Sequence, residues 1–420
     1  MGRAVTIALV GTGNRGHAYS RFVERYPDRA RIVAVADPRT ERRDLLARRF
    51  EVGPDRRFSD WWELAARGRV ADAVVIATPD HDHVAPARRF AELGYHILLE
   101  KPIAPTRAEC VEVVDAVEKA GVILAVCHVL RYTAYTDAVR RYVAEDRLGQ
   151  LVGVNHLEPV GWWHFAHSYV RGNWRRLDAS GPTILTKCCH DLDWLRYVVG
   201  RAAVSVSSHG GLHHFTPANR PAGAADRCLD CAVEPDCPYS ATRLYLGCLG
   251  DERRERWPLS IVTLDATEQG VRQALRDGPY GRCVYACDND VVDHQVVRID
   301  FEGGVTATLT MSAFTPLGHR RTQIMGTRGF LDDDGDHLTF TDFRTGAAES
   351  VDLTGGGGGA DAAGGHGGGD FGVIGAFVEA VAAGDPAPIR SGARESLESH
   401  LMAFAAERSR VTGTPQPVWE

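Results

Sequence analysis

The stretch "LVGTGNRGHAY", residues 9–19, decides the fold. It joins a β-branched apolar run, "VTIALV" (5–10), to "NRGHAYSRFVERY" (14–26), whose apolar residues recur at helical spacing. Gly11-x-Gly13-x-x-Gly16 therefore follows a strand and opens a helix. Gly11 permits the tight turn, Gly13 lets the backbone approach a pyrophosphate, and Gly16 allows the helix to pack closely on the strand. The helix N-terminus then faces the phosphates. With Thr12, Asn14 and Arg15 between them, the three glycines are candidate contacts of a dinucleotide. A second strand, "RIVAVAD" (31–37), ends at Asp37, 21 residues beyond Gly16. An acid at about that distance accepts hydrogen bonds from the adenosine ribose. This favours NAD, while Arg39, Arg42 and Arg43 leave NADP open.

The pattern continues outward. "DAVVIATP" (72–79), "YHILLEKP" (95–102) and "VILAVCH" (122–128) read as further buried strands, with helical stretches at 41–49, 82–93 and 106–120. Strand–helix alternation predicts an α/β class with a doubly wound parallel sheet over residues 1–130. A chain of 420 residues is long for one core, so a second domain is expected over 131–420. The net charge of −7 gives no reason to expect nucleic acid or an anionic membrane as partner. No apolar run reaches the ~18–20 residues of a membrane span. No cleavable signal pattern opens the sequence, so the cytoplasm is the expected compartment, and its reducing conditions argue against disulfides.

Two loops begin where parallel strands end, the place where such sheets bind ligands. "ATPDHDHVAPA" (77–87) brings Thr78 and Pro79 beneath the cofactor. "EKPIAPT" (100–106) brings Lys101, between Glu100 and Pro102, near the nicotinamide, where an amine can hold or deprotonate a hydroxyl. Together with "HVLRYTAY" (128–135) and "SGPTILTKCCHDLDWLRYVVG" (180–200), these segments resemble the glucose–fructose oxidoreductase/inositol dehydrogenase/MocA family. The resemblance implies a Rossmann domain followed by a C-terminal α/β domain with a large, mostly antiparallel open sheet. It implies oxidation or reduction of a carbinol carbon of a sugar, cyclitol or related polyol, and a homo-oligomer, dimer or tetramer. It adds His81, His83, Glu100 and His128 to the candidate cofactor contacts.

The resemblance also places a catalytic histidine at His190. Four residues earlier, where many members carry aspartate, stands Thr186; Lys187 lies three residues before His190, on the same helical face. His190 is the expected general acid/base, with Lys101 and Lys187 as partners, because imidazole exchanges protons near neutral pH. "GWWHFAHSYVRGNWRR" (161–176) supplies aromatic faces and hydroxyl-binding donors. Trp163, His167, Arg171, Asn173, Trp174 and Arg175, with Asp191, are candidate substrate contacts, and the two arginines hint at an anionic sugar. The same stretch also fits an interface strap or a core corner.

An insert at about 209–290 carries "RCLDCAVEPDCPYSA" and "GPYGRCVYACDND". Cys228-x2-Cys231 is the usual half of a tetrahedral zinc site. Cys237 and Cys283 would complete a structural zinc site pinning a core-poor loop, with Cys287 or Cys248 as alternatives to Cys283. An iron–sulfur cluster or free thiols fit the same residues. Beyond the insert, "VVDHQVVRIDFEGGVTATLTMSAF" (291–314) predicts a hairpin, with more strands to about 352. "GGGGGADAAGGHGGGD" (355–370) reads as a surface loop or a substrate lid, and helices at 371–383 and 393–411 close the chain. The expected chemistry is hydride transfer between nicotinamide and a carbinol carbon. The alternatives are a glycosidase holding NAD through transient oxidation, elimination, hydration and re-reduction, and a non-catalytic NAD-sensing or scaffolding protein.

Overall fold

The computed structural model describes residues 3–353 and 366–419. They form two compact units. The first comprises Met1–Asp137 and Gly368–Leu401, the second Ala138–Gly367 and Met402–Glu420.

The first unit is built on six parallel strands: β1 (Val5–Val10), β2 (Ala30–Ala36), β3 (Arg57–Phe58), β4 (Ala73–Ile76), β5 (His96–Leu99) and β6 (Leu124–Val126). Their order is β3-β2-β1-β4-β5-β6. All four residues of β4 and five of six in β1 are buried, as central strands of a sheet covered on both faces must be. Strand order reverses between β1 and β4, which opens a crevice at their carboxyl ends. The strands stop short of "ATP" and "EKP", so those residues turn off the ladder into loops at that rim. The edge strand β3, two residues long, is too short to leave a periodic signal.

A single boundary near residue 130 differs from what the structure forms, because the chain returns. On the helix Gly369–Ala383, Val373, Ile374, Phe377 and Val378 enter one apolar cluster with Val5, Leu9, Tyr19 and Phe22. That helix buries its apolar face in the first unit, so residues 368–401 belong there.

The second unit carries nine strands: β7 (Leu151–Pro159), β8 (Ala203–Gly211), β9 (His294–Phe301), β10 (Thr306–Ser312), β11 (Arg321–Gly326), β12 (Gly329–Asp333), β13 (His337–Asp342), β14 (Ala348–Asp352) and β15 (Gln416–Pro417). The order is β14-β13-β12-β11-β7-β10-β9-β8-β15, and β7–β10 is the one parallel pair among the described strands of this sheet. The expected hairpin joins β9 to β10 through Gly303, whose φ of 75° suits glycine. On β7 the core-facing positions are Val154, His156 and Glu158, all buried. Two polar side chains thus enter a face that elsewhere reads apolar, and the helix Cys189–Val199 lies against them.

The insert has a core of its own. Ala241, Tyr245, Leu259, Val271 and Leu275 cluster with Cys228 and Cys248. Burial of each large side chain contributes about 1.5–3 kcal/mol, so apolar packing helps to hold the segment. None of the ten cysteines forms a disulfide. Among the described residues no group of three or more His, Cys, Asp or Glu is placed to hold a metal ion. The zinc site expected of Cys228, Cys231, Cys237 and Cys283 is corrected accordingly. These thiols line a narrow void beside Arg171, and the Cys228 sulfur accepts from the Ala241 N–H (3.5 Å) and the Arg171 guanidinium (3.6 Å). Residues 355–365 of the glycine-rich segment lie outside the described residues.

Candidate active site

In the first unit the glycines do what their spacing predicts. Gly11 has a φ of +89°, and a Cβ there would lie 2.4 Å from the Ala77 carbonyl oxygen; one on Gly16 would lie 2.2 Å from the Gly11 carbonyl oxygen. Neither position admits a side chain. The helix Asn14–Arg25 begins with no side-chain cap and no acid in its first turn. Its first N–H groups are left to an anion. Asp37, 2% exposed, accepts from the Thr12 N–H (2.8 Å) and hydroxyl (2.9 Å), and from Arg39 through Nε (3.0 Å) and Nη2 (2.9 Å). Burial pushes its carboxyl up, but the Arg39 and Thr12 hydrogen bonds outweigh this and hold it below the ordinary range. The residues present fit a dinucleotide: a closed glycine turn, an uncapped helix end and an ionised acid at the second strand.

Other expected cofactor contacts have different surroundings. Arg15 donates to Glu100 (2.5 Å), to Asp370 (2.7 and 3.2 Å) and to the Tyr19 hydroxyl (2.6 Å), which itself donates to Glu100. Glu100 also accepts from the Lys101 N–H (2.9 Å). Burial raises the Glu100 carboxyl, and the Arg15 and Lys101 cations more than reverse it. Arg15 and Glu100 thus brace the glycine helix against the lysine loop. His83, fully buried, has its ring nitrogens 2.7 Å from the Pro102 carbonyl and 3.0 Å from that of Thr78, tying the two loops together. His128 is fully buried against His400, and burial followed by the Arg131 and Lys101 charges keeps it neutral. Thr78, Pro79 and His81 lie on the rim loop, with Thr78 half-buried and the other two exposed.

In the second unit His190 opens the helix Cys189–Val199 and is 8% exposed, with the His366 ring 5.9 Å away. Around it the fold gathers groups the sequence left scattered. Glu158 from β7 meets Lys187 Nζ at 3.1 Å and Arg320 Nη2 at 2.8 Å. Arg320 Nε also meets Asp191 at 2.5 Å, and His156 Nε2 lies 3.0 Å from the same carboxylate. The other His156 nitrogen faces the Thr322 hydroxyl (2.8 Å), and its ring stacks on Trp194 at 5.1 Å. Burial pushes the Asp191 carboxyl up, yet Arg320 and His156 hold it well below the ordinary range. Asp191 is completely buried and bonded to His156 and Arg320. His164, buried near the Lys187 charge, is kept neutral chiefly by burial.

The loop expected to bind substrate divides. His167 bonds to the Tyr245 hydroxyl (2.7 Å) and stacks on Tyr280 (4.9 Å), inside the insert. Burial, then the Arg171 charge, pushes it down to about 3. Arg171, 1% exposed, donates to the Arg282 and Tyr239 carbonyls, both at 2.8 Å. Both are core supports of the insert, which corrects their reading as substrate contacts. Arg175 pairs with Asp288 (2.8 Å), Trp174 stacks on Tyr169, and Asn173 is exposed; Trp163 packs on Trp257. Glu158, His156, Arg320 and His164 were missed, although "NHLEP" (155–159) does place two polar residues at alternate strand positions.

Comparison with known proteins agrees with both halves. The family model described as an oxidoreductase family with an NAD-binding Rossmann fold matches residues 5–128, and that of the family's C-terminal alpha/beta domain matches 140–415. A scyllo-inositol 2-dehydrogenase (NAD(+)) of Bacillus subtilis is 29% identical over 50% of this chain and 58% of its own. A 2,7-anhydro-N-acetylneuraminate hydratase of Escherichia coli is 27% identical over 51% of this chain and 55% of its own. The matches thus span just over half the length of these relatives. A levoglucosan dehydrogenase solved with NADH and levoglucosan is similar in fold, with a TM-score of 0.68, 18% identity, and coverage of 99% of this chain and 100% of that one. The chain belongs to the glucose–fructose oxidoreductase/inositol dehydrogenase/MocA family of NAD-binding oxidoreductases.

Proposed function

We propose that the protein is an NAD-dependent oxidoreductase acting on a carbinol carbon of a sugar or cyclitol. The observation that carries this is the first unit's glycine turn, closed to any side chain, beside an uncapped helix end and the ionised Asp37. The names of the inositol and levoglucosan dehydrogenases support the substrate class. When bound, the nicotinamide supplies two-electron hydride chemistry. Main-chain N–H groups of Gly11 to Gly16 hold the pyrophosphate, and Asp37 holds the ribose. The Arg39 fork is already engaged by Asp37, which favours NAD over NADP. His190 takes or returns the proton of the reacting hydroxyl, and Lys101 binds that hydroxyl and favours its alkoxide. Lys187, held by Glu158, positions rather than transfers. Trp163, Asn173, Trp174 and Arg175 remain candidate sugar contacts. Residence in the cytoplasm and self-association belong to the same proposal; no described helix is long and apolar enough to cross a membrane.

The test is a titration of NADH and NADPH into purified protein, followed by a screen for NADH formation with cyclitols and sugars. His190→Ala and Lys101→Ala should each lower kcat/KM by roughly 10²–10⁴. Absence of NADH binding, or wild-type turnover by both variants, overturns the assignment.

A further inference from the structure

Resting on the reading above, we infer that His366 carries the reaction's proton between His190 and solvent. Oxidation of a carbinol sends a hydride to the nicotinamide and the hydroxyl proton to His190. One proton must then depart for each NADH formed. His190 is only 8% exposed, so water reaches it poorly. His366 is half-buried, and its ring centroid lies 5.9 Å from that of His190, within the range of touching rings. The two imidazoles can exchange a proton across one bridging water or after a small turn of either ring. An imidazole suits the task because it gains and loses protons near neutral pH.

The backbone is shaped to deliver this ring. His366 has a φ of 51°, left-handed for a residue that carries a side chain, and Gly367 and Gly368 follow at 62° and 87°. Such strain persists where the surroundings fix a side chain in one place, and it clusters at functional sites. The other groups around His190 are differently employed. Its own helix carries Asp191, Asp193 and Arg196; β7, packed on that helix, brings His156 and Glu158, and β10 brings no titratable residue. Lys187 is bound to Glu158, and Asp191 to Arg320 and His156. Asp193 is fully buried, and an arginine does not release its proton. His164 feels the charges of Lys187 and His366, but burial above all keeps it neutral. His366 is left as the route by which the proton reaches water.

The test uses the full-length protein with NAD, and scyllo-inositol, myo-inositol and D-glucose as probes. Turnover is read as NADH formation in dilute buffer at pH 7. His366→Ala and His366→Gln should each lower kcat about tenfold, less than the loss expected of His190 itself, and leave NADH affinity unchanged. Added imidazole should restore most of that kcat by taking the proton from His190 directly. Wild-type kcat in both variants, or a loss that imidazole does not repair, overturns the relay while leaving the oxidoreductase reading intact. A second measurement needs no turnover: spectra of the protein with 15N-labelled histidine follow the titration of His190. Loss of a neighbouring like charge in His366→Ala should move that titration to higher pH. An unmoved titration overturns the inference even where no probe is oxidised. Absence of NADH binding rejects the oxidoreductase reading instead.

Discussion

Replacing Arg320 with methionine tests the buried charge cluster most directly. The substitution keeps the apolar stem but removes the guanidinium that meets Glu158 at 2.8 Å and Asp191 at 2.5 Å. Both acids are essentially buried. Removing one partner of a buried ion pair costs about 3–5 kcal/mol, because the remaining charge is left uncompensated. For a unit of the second unit's size, each kcal/mol moves the melting midpoint by about 2 °C, so a loss of roughly 6–10 °C is expected. The pH dependence carries the sign. In the native protein Arg320 and His156 overcome burial and hold the Asp191 carboxyl well below its ordinary range. Its contribution is present above the unfolded value of about 3.9 and is lost as pH falls through the folded pKa. Without Arg320, burial dominates and the folded pKa rises above the unfolded one. The variant's deficit should therefore be full near pH 8 and shrink as pH falls and the acid protonates. Thermal melts of both proteins across pH 5–8 measure this. A midpoint change below about 2 °C, or a deficit that does not vary with pH, refutes the argument.

Three further outcomes follow from the same geometry. Asp37→Ala should weaken NADH binding by about 10–100-fold, the worth of one or two hydrogen bonds to a charged group, measured by fluorescence titration; unchanged affinity would remove Asp37 from the ribose site. Treatment with a strong chelator should leave the melting midpoint unchanged, and one tightly held zinc per chain by elemental analysis would restore a metal to the cysteines. His167→Gln should lower stability by about 1–3 kcal/mol through its lost stack and buried Tyr245 partner. It should also leave the pH profile of turnover unmoved between pH 6 and 9, because His167 titrates near 3. A shifted profile would return it to the chemistry.

What was legible in the sequence is what local order dictates. The glycine turn, its flanking strand and helix, and Asp37 lie within one stretch of chain, so spacing alone defines their geometry. The charge cluster was not legible because pairing of β7 with β11 creates it, bringing Arg320 from the loop before β11 to a partner 162 residues earlier. His167 was misread for a different reason. Residues Ala166–Arg171 form a wider π-helical turn, which rotates side chains out of the phase assumed for an ordinary helix. His164, just before it, faces the Lys187 charge while His167 enters the insert. The cysteines misled because C-x2-C spacing suits a metal, whereas the packing that holds Cys228 comes from residues 241–280, which no cysteine pattern reveals.

The return of residues 368–401 changes what kind of object the cofactor-binding half is. Asp370, the acid that completes the Arg15 brace, and Phe377 of its core are supplied after more than two hundred residues of other structure. In terms of inheritance, most of the second unit, Ala138–Gly367, is cargo threaded between two parts of the first. A gene fragment ending near residue 137 would encode an unfinished sheet domain, with Arg15 lacking its Asp370 partner and an open apolar seam. Exchanging substrate halves between such proteins would therefore take three joins, after Asp137, after Gly367 and after Leu401, the last within the helix Ala393–Thr412.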